Sequence, residues 1–241
     1  MRQNALAAVA TAAVLLITPA SAQAAPADPT ISYPAFADAS GLALNGSAVV
    51  TGGVLRLTSA RRNQAGAAWC RVTVDPRAAF DTTFDVTTGG PAVHADGFAF
   101  VVQSDGSRAI GGLGGSIGYG GMTHSLAVEF DTYRNRDDVD GNHVAVVLGG
   151  RSDSPQAGAA PSPTPLFGGR LHVRVGYRPG TLTVAVRRAD EPWTHVLTTT
   201  ADLAAAVGDG PALVGFTAAT GRSVSTQDIL SWSLAQPASS K

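Results

Sequence analysis

The sequence has one cysteine, almost no net charge and no long apolar run after its first residues. The single Cys70 excludes an intrachain disulfide, and we expect a small buried apolar side chain there. The 18 acidic and 17 basic residues nearly cancel, and the basic ones are dispersed along the chain. The basic tract that nucleic acid or anionic lipid requires is therefore missing. We expect no nucleic-acid partner and no membrane insertion.

The first 25 residues have the pattern of a secretory signal. Arg2 precedes an apolar run over residues 5–17, and small residues around Ala22 and Ala25 suit cleavage. The run is shorter than the roughly 20 residues that a membrane-spanning helix needs. The sequence thus predicts a signal peptide over residues 1–25, an extracellular domain over residues 26–236 and a short tail over residues 237–241.

Alternation of apolar and polar residues dominates the rest of the chain. Leu171, Val173 and Val175 share one face, and the pattern resumes at Leu182 after a Pro-Gly turn, which indicates a hairpin. About a dozen such runs occur, among them residues 42–50 and 68–74. Only residues 201–207 have a helical pattern, and the Pro-rich stretch 151–170 is predicted to be a surface loop. Many short strands with Gly-rich and Pro-rich turns predict an all-β sandwich.

Two carboxylates stand at positions i and i+2 of one predicted strand. Glu129 and Asp131 therefore leave the same face of the sheet, where their charges repel. A divalent cation would cancel that repulsion, and the next residues add oxygen ligands and an imidazole suited to Ca²⁺ and to an ion such as Mn²⁺. The spacing permits two adjacent ions. These further candidate ligands are Asn135, Asp137, Asp138, Asp140, Asn142 and His143.

Motifs along nearly the whole predicted mature chain resemble those of the legume-type (L-type) lectins, in particular their secreted bacterial relatives. They occur in the order found in that family. The stretches are residues 42–48, Ala95-Asp96-Gly97-Phe98-Ala99-Phe100, the Gly-rich loop ending Ser116-Ile117-Gly118-Tyr119-Gly120-Gly121, the strand Val128-Glu129-Phe130-Asp131-Thr132-Tyr133, residues 214–221 and residues 228–233. The resemblance implies a concanavalin-like jelly-roll β-sandwich of two large antiparallel sheets, with a sugar site beside Ca²⁺ and a transition metal.

The resemblance also implies roles for individual residues. The transition metal, expected to be Mn²⁺, would take Glu129, Asp131, Asp138 and His143. Ca²⁺ would take Asp131, the Tyr133 carbonyl, Asn135 and Asp138. Asp138 is preferred to Asp137 or Asp140 because it lies five residues before His143, as in the family pattern, although the proline that usually follows is replaced by Val139.

For the sugar, the resemblance implies a carboxylate acceptor at Asp96, held by a cis peptide bond to Ala95. Gly115 would offer a backbone donor, Asn135 a side-chain donor and Tyr133 an apolar ring face, with Gly221 and Arg222 in the specificity loop. A carboxylate beside amide donors suits neighbouring sugar hydroxyls, which both donate and accept. One shallow site binds weakly, so homo-oligomerisation would supply avidity.

The predicted function is therefore a secreted, metal-dependent carbohydrate-binding protein that is not an enzyme. A glycoside hydrolase on the same sandwich is an alternative, but retaining hydrolysis needs a second carboxyl group near Glu129. Tyr133 and Arg134 stand where that group is expected, and the other glutamate, Glu191, lies on a predicted turn beside Pro192. The second alternative is an adhesion or scaffold sandwich that does not bind sugar. The side chains and the length of the loop over residues 220–227 would decide whether a saccharide fits.

Overall fold

The computed structural model describes residues 30–90, 94–153 and 157–237. The predicted signal peptide and all but the first residue of the predicted tail lie outside these residues. The described chain forms fifteen strands, one short α-helix and one 3-10 turn at Gly114–Ser116. The strands and helix are β1 Ile31–Tyr33, β2 Leu42–Gly46, β3 Val49–Thr51, β4 Val54–Thr58, β5 Ala65–Cys70, β6 Phe80–Gly89, β7 Gly97–Gln103, β8 Ser125–Asp131, β9 His143–Leu148, β10 Gly158–Pro161, β11 Arg170–Arg178, β12 Gly180–Arg188, β13 Thr194–Ala201, α1 Leu203–Val207, β14 Leu213–Ala219 and β15 Thr226–Ala235.

The strands form two antiparallel sheets packed face to face. The eight-stranded sheet has the order β13-β12-β11-β6-β15-β4-β3, with β1 paired to β15. The seven-stranded sheet has the order β10-β9-β8-β7-β14-β5-β2. The predicted all-β jelly-roll sandwich of two large antiparallel sheets is confirmed. None of the described helices is long and apolar enough to span a bilayer.

Several element boundaries differ from the prediction. Residues 42–50 form two strands in opposite sheets, because Gly46 adopts a φ of +62° and turns the chain between them. The strand predicted over residues 68–74 begins at Ala65 and ends at Cys70, leaving Val74 in an isolated bridge to Ala212. The stretch 151–170 also contains β10, so it is not wholly a loop. The helix is confined to Leu203–Val207, with Asp202 as its N-cap.

The main core lies between the sheets and is rich in phenylalanine. Phe84 of the eight-stranded sheet makes edge contacts with Phe98, Phe130 and Phe216 of the other sheet. Cys70 is a free, buried thiol in this core, as predicted. Trp232 is also buried there, whereas Trp69 belongs to a second apolar cluster outside the sandwich.

That second cluster covers the outer face of the seven-stranded sheet. Strands β7 and β8 are buried on both faces, and their outward residues include the small Ala99 and Ala127. Ile117 and Tyr119 of the Gly-rich loop pack against this layer, and Trp69 Nε1 donates to the Ala109 carbonyl at 2.8 Å. The small outward side chains thus let the loop lie on the sheet, where it borders the outward carboxylates of β8.

Candidate functional site

Three potential metal-ligating side chains meet at the end of the seven-stranded sheet. Glu129 and Asp131 alternate with the core residues Val128 and Phe130, so both point outward. The register of β8 and β9 places His143 directly opposite Asp131. One ligand atom from each of Glu129, Asp131 and His143 lies within 4.8 Å of the others. The three side chains form a buried group with two carboxylates and one imidazole, which we call the carboxylate-histidine cluster.

The charges of this cluster are not neutralised by a basic side chain. Glu129 is 3% exposed and Asp131 is 1% exposed, yet among the described residues neither pairs with a lysine or arginine. Burial raises the pKa of both carboxyls, and the charge of Glu129 raises that of Asp131 further. Two buried carboxylates cannot both ionise cheaply without a cation beside them.

The imidazole and one glutamate oxygen have the orientation expected of metal ligands. His143 Nδ1 lies 2.6 Å from the Asp140 carbonyl, which makes Nδ1 the donor and leaves Nε2 as the acceptor. Nε2 lies 3.7 Å from Glu129 Oε1, while Glu129 Oε2 accepts a hydrogen bond from the Tyr119 hydroxyl. Two carboxylates and a neutral imidazole suit Mn²⁺ or a similar ion. The residues present therefore fit a transition metal.

The loop after β8 brings further predicted ligands to the same place. Asn135 and Asp138 line a cleft of about 820 Å³ together with Glu129 and Asp131. The Asn135 amide donates to Asp138 Oδ2 at 2.5 Å, and the Tyr133 amide donates to Asp131 Oδ1 at 2.6 Å. These oxygen-rich surroundings are of the kind that Ca²⁺ prefers.

The structure separates the competing aspartates of this loop. The charge of Asp138 raises the pKa of both Glu129 and Asp131, so Asp138 lies close to the cluster. Asp140 instead contacts His143 through its carbonyl and accepts from the Asn142 amide at 2.9 Å. Asp137 also lines the cleft. The geometry thus favours Asp138 over Asp140 as a ligand, and Asp137 remains a neighbour of the site.

Asp96 is a buried carboxylate beside two glycines, Gly114 and Gly221. It is 5% exposed, and its Oδ2 has no hydrogen-bond partner among the described residues. A methyl group at Gly221 would lie 3.4 Å from Oδ2, and one at Gly114 would lie 4.0 Å from Oδ1. Burial raises the pKa of Asp96 to about 6, although the nearby Gly221 backbone opposes this rise. The Ala95-Asp96 peptide bond is cis, as predicted.

Asn135 joins the two parts of the site. A methyl group at Gly115 would lie 3.2 Å from Asn135 Nδ2, so the Gly-rich loop contacts this side chain closely. Asn135 therefore stands between the loop and the carboxylate-histidine cluster. The absence of a side chain at Gly115 leaves its backbone within reach of a ligand.

A chain of hydrogen bonds holds the backbone of Asp96 from both sides. Ser225 Oγ donates to the Ala95 carbonyl at 2.8 Å, and Gln227 Nε2 donates to Ser225 Oγ at 2.6 Å. The Thr132 amide and hydroxyl donate to the Asp96 carbonyl at 3.0 and 3.2 Å. Ser225 and Gln227 are fully buried, which strengthens these bonds. The backbone that carries the carboxylate is thus held by protein groups.

Two predicted sugar-site residues lie at the margin. Tyr133 is 37% exposed, so part of its side chain is open to solvent, while its backbone amide contacts Asp131. Arg222 is exposed, and no hydrogen bond or ion pair joins it to Asp96 among the described contacts. Sequence reasoning missed Tyr119 and Ser225, which support Glu129 and the Asp96 backbone. Their residue types gave no signal, because each role depends on a neighbour distant in sequence.

The chain has clear relatives among lectins. The family model described as the legume lectin beta-barrel domain matches residues 35–231. A seed lectin of Styphnolobium japonicum is 29% identical over 85% of this chain and 77% of its own length. A putative L-type lectin-domain containing receptor kinase I.11 of Arabidopsis thaliana is 31% identical over 85% of this chain and 35% of its own length.

A solved lectin structure agrees with these matches. The lectin from Bauhinia forficata in complex with GalNAc superposes with a TM-score of 0.75 and 25% identity, covering 87% of this chain and 98% of the other. The chain therefore belongs to the legume (L-type) lectin family of carbohydrate-binding, non-enzymatic domains. It spans about a third or less of the length of the receptor kinases that it matches.

Proposed function

We propose that this protein is a secreted, metal-dependent lectin whose sugar site lies at the end of the seven-stranded sheet. The observation that carries the proposal is the buried Asp96 Oδ2, which lacks a hydrogen-bond donor while glycines surround it. A buried, unpaired carboxylate oxygen is costly unless a ligand supplies its donor. Neighbouring hydroxyls of a sugar would supply donors to both oxygens of Asp96.

The remaining ligand contacts would come from residues around Asp96. The Gly115 amide and the Asn135 side chain would donate to sugar oxygens, and the exposed Tyr133 ring would pack against the apolar face of the sugar. Gly221 keeps the space above Asp96 open because it has no side chain, and Arg222 would form the outer rim.

The metal part of the proposal rests on the unneutralised charge beside the sugar site. Glu129, Asp131, Asp138 and His143 would hold a transition metal, for which Mn²⁺ fits the donor set, and Asp131, Tyr133, Asn135 and Asp138 would hold Ca²⁺. Bound cations would supply positive charge to these carboxylates and fix the loop that carries Asn135. Asn135 would thereby be ordered for the sugar.

A glycan array in Ca²⁺ and Mn²⁺, repeated in chelator, tests both parts. We expect binding to one class of glycan in metal and its loss in chelator. Asp96→Asn should abolish binding while the protein stays folded and is still stabilised by metal. Asp209→Asn, which changes an exposed carboxylate after α1, is the matched control and should bind like the parent.

Other outcomes of the same experiment have distinct meanings. Undiminished binding by Asp96→Asn would refute the sugar site, and undiminished binding in chelator would refute the metal dependence. Metal-dependent stabilisation without binding to any glycan would favour the scaffold alternative. Glycan cleavage would revive the hydrolase alternative, although the glutamate outside the site, Glu191, lies exposed between β12 and β13 of the opposite sheet.

Export of the chain is the second part of the proposal. The basic start and short apolar run of residues 1–25 support a cleaved signal, and an extracellular site would give access to glycoconjugates. Expression of the full chain in a secreting bacterium should yield a culture-medium protein whose N-terminus is Pro26 or a close neighbour. An uncleaved chain retained in the cytoplasm would overturn this part alone.

A further inference from the structure

Two arginines share one tryptophan on the outer face of the eight-stranded sheet. The guanidinium carbon of Arg174 lies 4.5 Å from the Trp193 ring centroid, and that of Arg187 lies 5.0 Å from it. Both distances are within the range of cation-π attraction. Two cations are thus held beside a single aromatic ring, on the sheet opposite to the one that carries Asp96.

Strand register gathers these cations from separate parts of the sequence. Arg187 of β12 pairs with His172 of β11, and Arg174 follows His172 by two residues on the same face. The neighbouring Val173 and Val186 point into the core. Basic residues that are dispersed in the sequence therefore meet on the folded surface.

Other basic side chains nearby already have partners. Arg170 Nε lies 3.4 Å from Asp85 Oδ2, and His172 Nδ1 lies 2.6 Å from Asp85 Oδ1. Arg188 donates to two backbone carbonyls, those of Pro165 and Phe167, at 2.6 to 3.0 Å. These contacts give Arg170, His172 and Arg188 a structural role within the chain.

Arg174 and Arg187 have no polar partner of this kind among the described residues. Among the described residues neither makes a hydrogen bond or an ion pair with a carboxylate, and Arg187 Nε is buried without a partner. A buried donor without an acceptor destabilises the fold, and so does a buried acceptor without a donor, such as Asp96 Oδ2. A cleft of about 560 Å³ opens beside Arg187, and it is also lined by Arg170, His172, Arg188, Ala189 and Asp190.

We propose that Arg174, Arg187 and Trp193 form a second binding site, for the carboxylate or sulfate group of an acidic saccharide. The planar guanidinium groups offer paired N–H donors that match two oxygens of such a group. The indole holds the guanidinium groups in place and offers an apolar edge to a sugar ring. Asp190 lines the cleft beside Arg187 and would oppose the anion, so it limits the affinity.

This site is independent of the cation-binding end of the molecule. Asp96 and the carboxylate-histidine cluster belong to strands and loops of the seven-stranded sheet, whereas Arg174 and Arg187 belong to β11 and β12 of the other sheet. Binding of an acidic saccharide should therefore survive chelation and the Asp96→Asn change. The inference can fail without affecting the proposed lectin site, and the reverse also holds.

The test uses a sulfated disaccharide as the probe, titrated at millimolar concentration by NMR at low ionic strength, where salt does not screen exposed charges. Arg187→Gln and Arg174→Gln should each weaken binding at least fivefold. Arg178→Gln is the matched control, because Arg178 is an exposed arginine on the same strand as Arg174 but already pairs with Asp81 at 2.8 Å. Asp190→Asn should strengthen binding about twofold, since it removes the opposing charge.

The results that overturn the proposal are equally specific. An equal loss with Arg178→Gln would mean general attraction to surface charge and not a site. Loss of binding with Asp96→Asn would place the disaccharide at the other end of the molecule. Competition with inorganic sulfate distinguishes a free anion from a sulfate group carried by a saccharide. Inorganic sulfate that binds as tightly as the disaccharide would show that the saccharide itself is not recognised.

Discussion

The molecule buries carboxylates in two regions, and it treats their charge in opposite ways. Asp228 of β15 is 8% exposed and accepts from Arg56 Nε and Nη2 at 2.8 and 2.7 Å. Glu129 and Asp131 are buried at least as deeply, but the described residues give them no lysine or arginine. The fold is thus able to pair a buried carboxylate with a guanidinium, yet it does not do so in the cleft. The difference indicates that the cleft charge is kept for a ligand.

The largest effect should follow from Asp131→Asn. In the parent protein, a metal present at about 100 times its Kd should raise the free energy of unfolding by about 2.7 kcal/mol. Asp131→Asn removes a ligand and should abolish that increase. In chelator the same variant should unfold at a higher temperature than the parent, because it removes a carboxyl group that is costly to bury beside Glu129.

Calorimetry in metal and in chelator measures both effects. Glu191→Gln, which alters an exposed carboxylate, should keep the full metal-dependent increase. If metal does not change the unfolding of the parent protein, the cleft carboxylates are not kept for a cation, and their contrast with Asp228 disappears.

The pH dependence of the chelated protein should be the next largest effect. Burial raises the pKa of Glu129 to about 7, well above its unfolded value, and raises that of Asp131 as well. The folded chain then binds more protons than the unfolded chain, so stability is greatest below about pH 4 for these groups and falls as pH rises toward 7 and above. Urea unfolding should show a loss of at least about 1 kcal/mol between pH 5 and pH 8.

The sign of that pH effect is diagnostic. Metal should remove it, because a cation favours the ionised carboxylates that high pH produces. A chelated protein that instead gains stability from pH 5 to pH 8 would show that the two carboxyls are not buried together.

A smaller effect should follow from Tyr119→Phe. The hydroxyl donates to Glu129 Oε2 while Oε1 faces His143, so its removal frees the carboxylate to rotate without changing the size of the buried ring. Loss of a residue that orients a metal ligand weakens metal binding by about tenfold. Calorimetric titration with Mn²⁺ measures this change, and Tyr33→Phe, whose ring stacks in the other core, is the control. Equal affinity in the two variants would exclude a role for Tyr119.

The smallest effect should follow from Asp228→Asn. The variant leaves Arg56 without its charged partner, but Arg56 is 36% exposed and water compensates in part. We expect a loss of about 1 kcal/mol in the free energy of unfolding, measured with urea. Asp81→Asn breaks a more exposed pair with Arg178 and should change almost nothing. A similar loss of stability from both variants would show that burial does not strengthen the Asp228–Arg56 pair.

The fold was predictable where alternation continued without interruption. The hairpin of β11 and β12 follows from period-two spacing, and the structure extends it by one or two residues at its ends. Alternation does not specify which sheet a strand joins, so β2 and β3 were predicted as one strand. Strand β13 has no clear period-two pattern, because threonines interrupt its apolar residues.

The site was predictable only in part from the residues themselves. The i, i+2 spacing of Glu129 and Asp131 predicts a shared face, and the structure agrees. The position of His143 opposite Asp131 depends on the register of two strands separated by a loop, which spacing does not determine. The unpartnered state of Asp96 Oδ2 and of Arg187 Nε depends on every neighbouring element, and no local pattern reveals it.

Asp96, Gly114 and Gly221 come together from stretches that are far apart in the chain. No single peptide cut from this protein contains the complete arrangement, and a partly folded chain lacks it too. Retention on an immobilised glycan would therefore select correctly folded molecules, so purification by such a column would also be a quality test of refolded material.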